Sequence, residues 1–241
     1  MFDKIAKESI KELILEVSKN PLLHFSEKSL QVRLAAKLMK YPELTIPVQT
    51  GLYRRYERQM KRLKSNESYL KNALSIAPLQ MEYGTNDPGP YRIDIAILDP
   101  EEIRLIDNWQ FQKSGKYLDP LIGIEIGTEK TGMGKISDEH LENDVFKLRN
   151  SKLAYILNIL RNTNVCRKQT ISYRNKTQQL QSFRNGLKEK SVLSKYPQIS
   201  WIGLIIHIAY QEAEFFDISN GWKTFTVPSE DFQDAVNKKL S

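Results

Sequence analysis

Two acids stand inside runs that are otherwise apolar and β-branched. Asp94 lies in Y-R-I-D-I-A-I-L-D-P and Glu125 in L-I-G-I-E-I-G-T-E-K. Both runs read as buried strands, being short and bounded by Pro and Gly. A carboxylate in mid-strand costs free energy unless it is hydrogen-bonded, ion-paired or bound to a metal. Two of them on neighbouring strands repel each other. A divalent cation removes that repulsion, and hard oxygen donors suit magnesium. Asp94 and Glu125 are therefore expected as magnesium ligands, with a structural ion-pair role as the alternative. Strand alternation places Ile93, Ile95 and Ile97 on one face, with Asp94 and Ala96 on the other. It likewise sets Gly123, Glu125 and Gly127 opposite Ile122, Ile124 and Ile126. Glu125 should stand on a strip of bare backbone with room beside it.

The elements that must position these acids can be read along the chain. Ile5, Ile10, Leu13, Ile14 and Val17 recur at helical spacing over about residues 2–18, and Asn20-Pro21 stops that helix. Ser26 is an N-cap candidate for a second helix, whose first turn holds Glu27, an acid favoured there by the helix dipole. A-P-L-Q-M-E-Y and the Asp94 run, separated by the turn-rich G-T-N-D-P-G-P, form a hairpin. Glu82 shares a strand face with Gln80, from which it could reach the acids as a further metal ligand. Ile103–Ile106 reads as a short strand, and Trp109–Pro120 as a loop leading to the Glu125 strand. A helix is expected over about residues 138–160, with Asp144 and Lys147 one turn apart on its surface. The chain closes with strands around Trp201, in E-F-F-D-I and in W-K-T-F-T-V, and with a helix starting at Ser229. His207, inside a continuous apolar run, reads as a satisfied core histidine. Together these elements predict an α/β fold, a central mixed sheet flanked by helices, in one domain over residues 1–241. Its core would span roughly 26–160 and 199–226, with basic helical segments at 47–74 and 161–190.

This order of elements resembles the PD-(D/E)XK nuclease superfamily, the fold of many restriction enzymes and resolvases. The residues that carry the resemblance are Arg92-Ile93-Asp94, Glu125-Ile126-Gly127, the helical F-S-E-K-S-L-Q-V and the later H-L-E-N-D-V-F-K-L. It implies a restriction-endonuclease-like core in which Asp94 and Glu125 hold magnesium and Glu27 lies near the metal. The family's lysine, two residues after the Glu, helps activate the attacking water, and Gly127 occupies that position here. The resemblance leaves two candidates for the displaced lysine. Lys130 would reach the metal face through a β-bulge at Gly127-Thr128, and Lys147 would reach it from the following helix.

Charge points to the partner. The 241 residues carry a net charge of +7, which favours a polyanion. Arg54, Arg58, Lys61 and Arg62 fall near one another at helical spacing, interleaved with Tyr53 and Tyr56, and few acids balance them. Between Asp144 and Glu189 there is no acidic residue, while Arg167, Lys168, Arg174, Lys176 and Arg184 stand among Asn, Gln, Ser and Thr. Cations meet phosphates and amides read base edges, so double-stranded DNA is the expected partner. A solvated basic face is the other reading of each run. A single Cys166 excludes an internal disulfide framework and fits a reducing cytoplasm, and three histidines argue against a structural zinc site. No apolar run is long enough to span a bilayer. The sequence thus predicts a magnesium-dependent endodeoxyribonuclease of type II restriction kind, for which a homodimer would match a palindromic site. A structure-directed, repair or RNA nuclease is compatible with the same residues. The reading from another class is a nucleic-acid-binding protein whose nuclease site has decayed at Gly127.

Overall fold

The computed structural model describes residues 1–22, 26–53, 57, 67–87, 91–107, 117–130, 138–162, 180, 195–217 and 221–241. The basic residues expected to contact DNA, from Arg54 to Arg62 and from Arg167 to Arg184, lie outside them.

Seven strands form one mixed sheet in sequence order: β3 (Leu79–Gly84), β4 (Arg92–Ile97), β5 (Ile122–Lys130), β6 (Leu153–Asn162), β7 (Ile199–His207), β8 (Glu212–Asp217) and β9 (Gly221–Thr226). The central three, β5 to β7, run parallel, and the flanking pairs are antiparallel. A minor two-stranded sheet joins β1 (Val48–Gln49) to β2 (Ser75–Ile76). The parallel strands are buried on both faces and so read as continuous apolar runs, as in I-G-L-I-I.

Helices cover both faces. On one lie α1 (Phe2–Lys19), α2 (Glu27–Leu38) and the C-terminal helix (Glu230–Lys239), packed over Ile95, Ile124, Leu157 and Leu204. Each such isoleucine or leucine, fully buried, contributes about 1.5–3 kcal/mol. Lys37 and Arg33 of α2 both reach Glu16 of α1, at 2.6 and 2.7 Å, and fix the two helices against each other. The opposite face carries a helix over Asp138–Leu148, which crosses from β5 to β6 and buries Leu141, Val145 and Leu148 against Ala96, Ile156 and Trp201.

Three expectations change. Ile103–Ile106 belongs to a helix, Pro100–Leu105, and its end, because Asp99 caps the Glu101 N–H and Pro100 takes the first helical position. The helix after β5 ends at Leu148 rather than near residue 160, and Leu153–Asn162 is a strand. From Ile156 to Leu160 its Ile and Leu residues are buried between β5 and β7, and that environment overrides their helical spacing. Ile93 leaves the face it was expected to share with Ile95 and packs in the cluster containing Ala96 and Leu98. The strand has by then left its pairing with β5, while Ile93 still pairs with Tyr83 of β3.

Candidate active site

Antiparallel pairing of β4 with β5 stops at Ile95 and Ile124. Asp94 and Glu125 stand one residue beyond. There the carboxylates replace the ladder: Glu125 Oε1 accepts from the Asp94 N–H at 3.2 Å, and Asp94 Oδ2 accepts from the Ile126 N–H at 2.8 Å. The strands can splay without orphaning these buried N–H groups, because a side-chain oxygen satisfies each. On the other side of β4 the rung is missing too. β3 pairs regularly through Met81↔Ile95 and Tyr83↔Ile93, but Glu82, opposite Asp94, has a left-handed backbone with φ +50°. That conformation costs a residue other than glycine roughly 1–2 kcal/mol.

The second oxygen of Glu125 accepts from Lys147 Nζ at 2.6 Å, and the same ammonium reaches Asp144 Oδ1 at 3.1 Å. The helix that carries Lys147 is held in place by the packing of Phe146 on Tyr91, with ring centroids 5.4 Å apart, and by Arg149, which lies over Phe146 and pairs with Asp87. Asp94, Glu125 and Asp144 are all buried, so three carboxylates share one lysine. Burial raises the Asp94 carboxyl to about 6; the Ile126 N–H and Lys147 oppose this, and Glu27 and Asp144 add to it. Burial also pushes Glu125 well above the usual carboxylate range, reinforced by the charges of Asp94 and Asp144. For Lys147 burial works against the ammonium, but Glu125 and Asp144 outweigh it and hold the side chain protonated.

Asp94 and Lys147 open onto a cavity of about 340 Å³. Glu27, Lys28 and Gln31 of α2 line one side, with Glu82, Tyr91 and Arg92 on the other. Glu27 is delivered by the helix start: the Ser26 hydroxyl and the Ser29 N–H bond each other reciprocally with their partners across the first turn, a capping box. Lys28 and Glu82 form an ion pair at the rim.

Glu27, Glu82, Asp94 and Lys147 thus come together around one cavity, and Glu125 joins them through Lys147. At Lys130 the strand register differs from the one expected. β5 pairs with β6 one residue to one residue from Ile122 to Lys130, so the bulge expected at Gly127-Thr128 is absent. Unbroken alternation gives position 130 the parity of Ile124 and Ile126 rather than that of Glu125. Nor is the glycine strip open. A Cβ at Gly123 would meet Leu148 and Ser151, and one at Gly127 would stand 2.5 Å from Asn158 Nδ2. Asn158 is fully buried there, its Oδ1 accepting from the Trp201 indole at 2.7 Å. The space beside Gly127 is filled from the neighbouring strand.

Asn158, Lys28, Tyr91, Arg92 and Gln31 were not singled out from sequence as site residues in their own right. Gln31 did carry a signal, lying one helical turn after Glu27. Its side chain is buried in the cavity wall, and Oε1 has no hydrogen-bond partner among the described residues. His207 behaves as expected of a satisfied core histidine, with Nδ1 2.9 Å from Asn162 Nδ2 and Nε2 2.7 Å from Glu214.

No family model, curated protein or solved structure matches this chain.

The donor set fits magnesium. Among the described residues no three acidic, histidine or cysteine side chains converge on a metal-sized point. Magnesium does not require this, since it keeps several waters and takes one or two carboxylates together with substrate phosphate oxygens. Asp94 and Glu125 supply two hard oxygen donors from a cluster with excess negative charge, and that excess is the condition a cation relieves.

Proposed function

We propose that the protein is a metal-dependent endonuclease that hydrolyses phosphodiester bonds in DNA, built on a restriction-endonuclease-like core. The observation that carries this reading is the meeting of Asp94 and Glu125 at the point where β4 and β5 splay, under a protonated Lys147 and beside a cavity. Asp94 and Glu125 would hold magnesium, which lowers the pKa of a bound water and offsets charge on the scissile phosphate.

The chain's own groups have distinct parts. Lys147 stays an ammonium between Glu125 and Asp144, so it acts as a hydrogen-bond donor and positive charge, not as a general base. It orients a water or a phosphoryl oxygen in the cavity, and the packing of Phe146 and Arg149 fixes its position. Glu27 adds a carboxylate at the opposite wall and contributes to the raised pKa of Asp94. Arg92 supplies an exposed guanidinium at the mouth, suited to a phosphate. The two acid-free basic stretches of the sequence would hold the duplex backbone.

One observation favours a second reading. Lys147 already supplies the counter-charge to Glu125, so the cluster is self-consistent without a metal. On this view the chain binds nucleic acid without cutting it. Plasmid cleavage with magnesium and with chelator separates the two. The nuclease reading expects cleavage in magnesium that falls by about 10²-fold or more in Asp94→Ala and in Glu125→Ala. Discrete fragments would mark a type II restriction activity, and a smear a less specific or structure-directed one. An uncut plasmid whose mobility shifts with protein would support the binding reading.

A further inference from the structure

A second cavity, of about 670 Å³, adjoins the first and shares Glu82 and Arg92 with it. Ile76, Met81, Leu98, Ile106 and Leu118 place apolar surface among its polar walls, and the rings of Tyr83 and Tyr117 meet edge to face with centroids 5.4 Å apart. Both rings are held before any ligand arrives. The Tyr83 hydroxyl accepts from the Leu118 N–H at 2.9 Å, and Tyr117 lies directly against the bare backbone of Gly84. Asn86 anchors the same segment, bonding both the N–H and the carbonyl of Tyr117.

The polar side of the cavity is the open edge of β3, the outermost strand of the large sheet. Leu98 donates to Pro78, so in the antiparallel alternation the N–H and C=O of Met81 face outward, along the cavity. Beyond the left-handed Glu82 the alternation shifts, with Thr85 donating to Tyr91, and Tyr83 falls on the inward-bonding side. Two tyrosine rings, apolar side chains and the outward donor and acceptor of Met81 offer what a nucleobase requires: a π-face to stack on and an edge to bond. The volume falls within the range of about 300–1,000 Å³ common for small-ligand sites.

We infer that this cavity receives one unstacked nucleobase from the strand whose phosphodiester lies at Asp94 and Glu125, with Arg92 holding the phosphate between the two cavities. The inference rests on the nuclease reading for the strand's course, but the base site itself is a binding property. Enzymes that act within a duplex commonly draw a nucleotide out of the stack, and the displaced base needs such a receptor. Arg92 is suited to the intervening position because it borders both cavities and is exposed.

The test is binding by the intact protein in chelator, where no cleavage occurs. The probes are the four 2′-deoxynucleoside 5′-monophosphates and 2-deoxyribose 5-phosphate, followed by saturation-transfer NMR and titration. At least one nucleotide is expected to bind about tenfold or more tightly than the base-free sugar phosphate. Ala77→Trp, which fills the cavity from a half-buried wall position, and Tyr117→Ala should abolish that difference and leave sugar-phosphate binding unchanged. Arg92→Ala should weaken both ligands. Equal binding of nucleotides and sugar phosphate by the native protein, or an undiminished difference in Ala77→Trp, would overturn the inference. Should Tyr117→Ala fail to fold by circular dichroism, Ala77→Trp decides. Base-dependent binding with an uncut plasmid would leave the cavity's role standing and sink the nuclease reading. Cleavage without base-dependent binding would do the reverse.

Discussion

Asp94 gives the metal-free protein a pH signature. Its carboxyl sits near 6 when folded, against about 3.9 for a free aspartate. An acid raised on folding stabilises the native state fully below its unfolded pKa, and that contribution is lost as the pH rises through the folded value. Glu125 shifts in the same direction. In chelator, stability to urea should therefore rise as the pH falls from about 7 toward about 5. Asp94→Asn should be more stable than the native protein at about pH 7.5 by about 2–3 kcal/mol, and the gap should close near about pH 4. Magnesium should raise the melting temperature of the native protein and leave that of Asp94→Asn unmoved. A flat pH profile would mean that the acids are relieved by something other than protons or metal. Lys147→Met tests the same cluster from the other side. It removes the ammonium that Glu125 and Asp144 share and should cost about 3–5 kcal/mol at neutral pH, less when the acids are protonated. At Gly127, alanine should cost about 1–3 kcal/mol by crowding Asn158. Adding Asn158→Gly should recover part of that loss, a non-additivity that a double-mutant cycle reads directly.

At the scale of elements, the site depends on where α2 begins and where β4 parts from β5. Removing the Ser26 cap as Ser26→Ala should destabilise the protein by about 1 kcal/mol and, because Glu27 is the next residue, perturb the cavity beyond that loss. Much of this arrangement is legible in the sequence. Local chemistry writes α1, the Ser26 cap, the hairpin and the Ser229 cap, and strand periodicity places Asp94 and Glu125 on facing strands. Other parts come from packing. Leu153–Leu160 fits a helix as well as a strand until β5 and β7 enclose it. Ile103 reads as strand unless Asp99-Pro100 is recognised as a helix start. The register of β5 with β6 shows no bulge, and nothing within the β5 sequence alone could reveal that Asn158 comes from β6 to fill the space at Gly127. The match between Lys147 and Glu125, 22 positions apart, likewise exists only once the crossover helix is in place.

At the scale of the whole molecule, an excess of seven positive charges should make nucleic-acid binding steeply dependent on salt. If six or more phosphates are neutralised, affinity should fall by about 10³-fold or more between about 50 and about 200 mM salt, and a gel-shift series would show it. Arg54→Ala and Arg174→Ala should each reduce the slope by about one unit if those side chains meet phosphates. The sheet that carries these functions ends at β3, and its outer rim has a further consequence. An open, flat strand of this kind invites a second chain to pair along it, the first step toward aggregation. The left-handed backbone at Glu82 interrupts the strand midway, and the charged pair it makes with Lys28 stands at the same point. The kink at Glu82 spoils the rim as a template for self-association, so the edge of the sheet and the wall of the cavity share one residue.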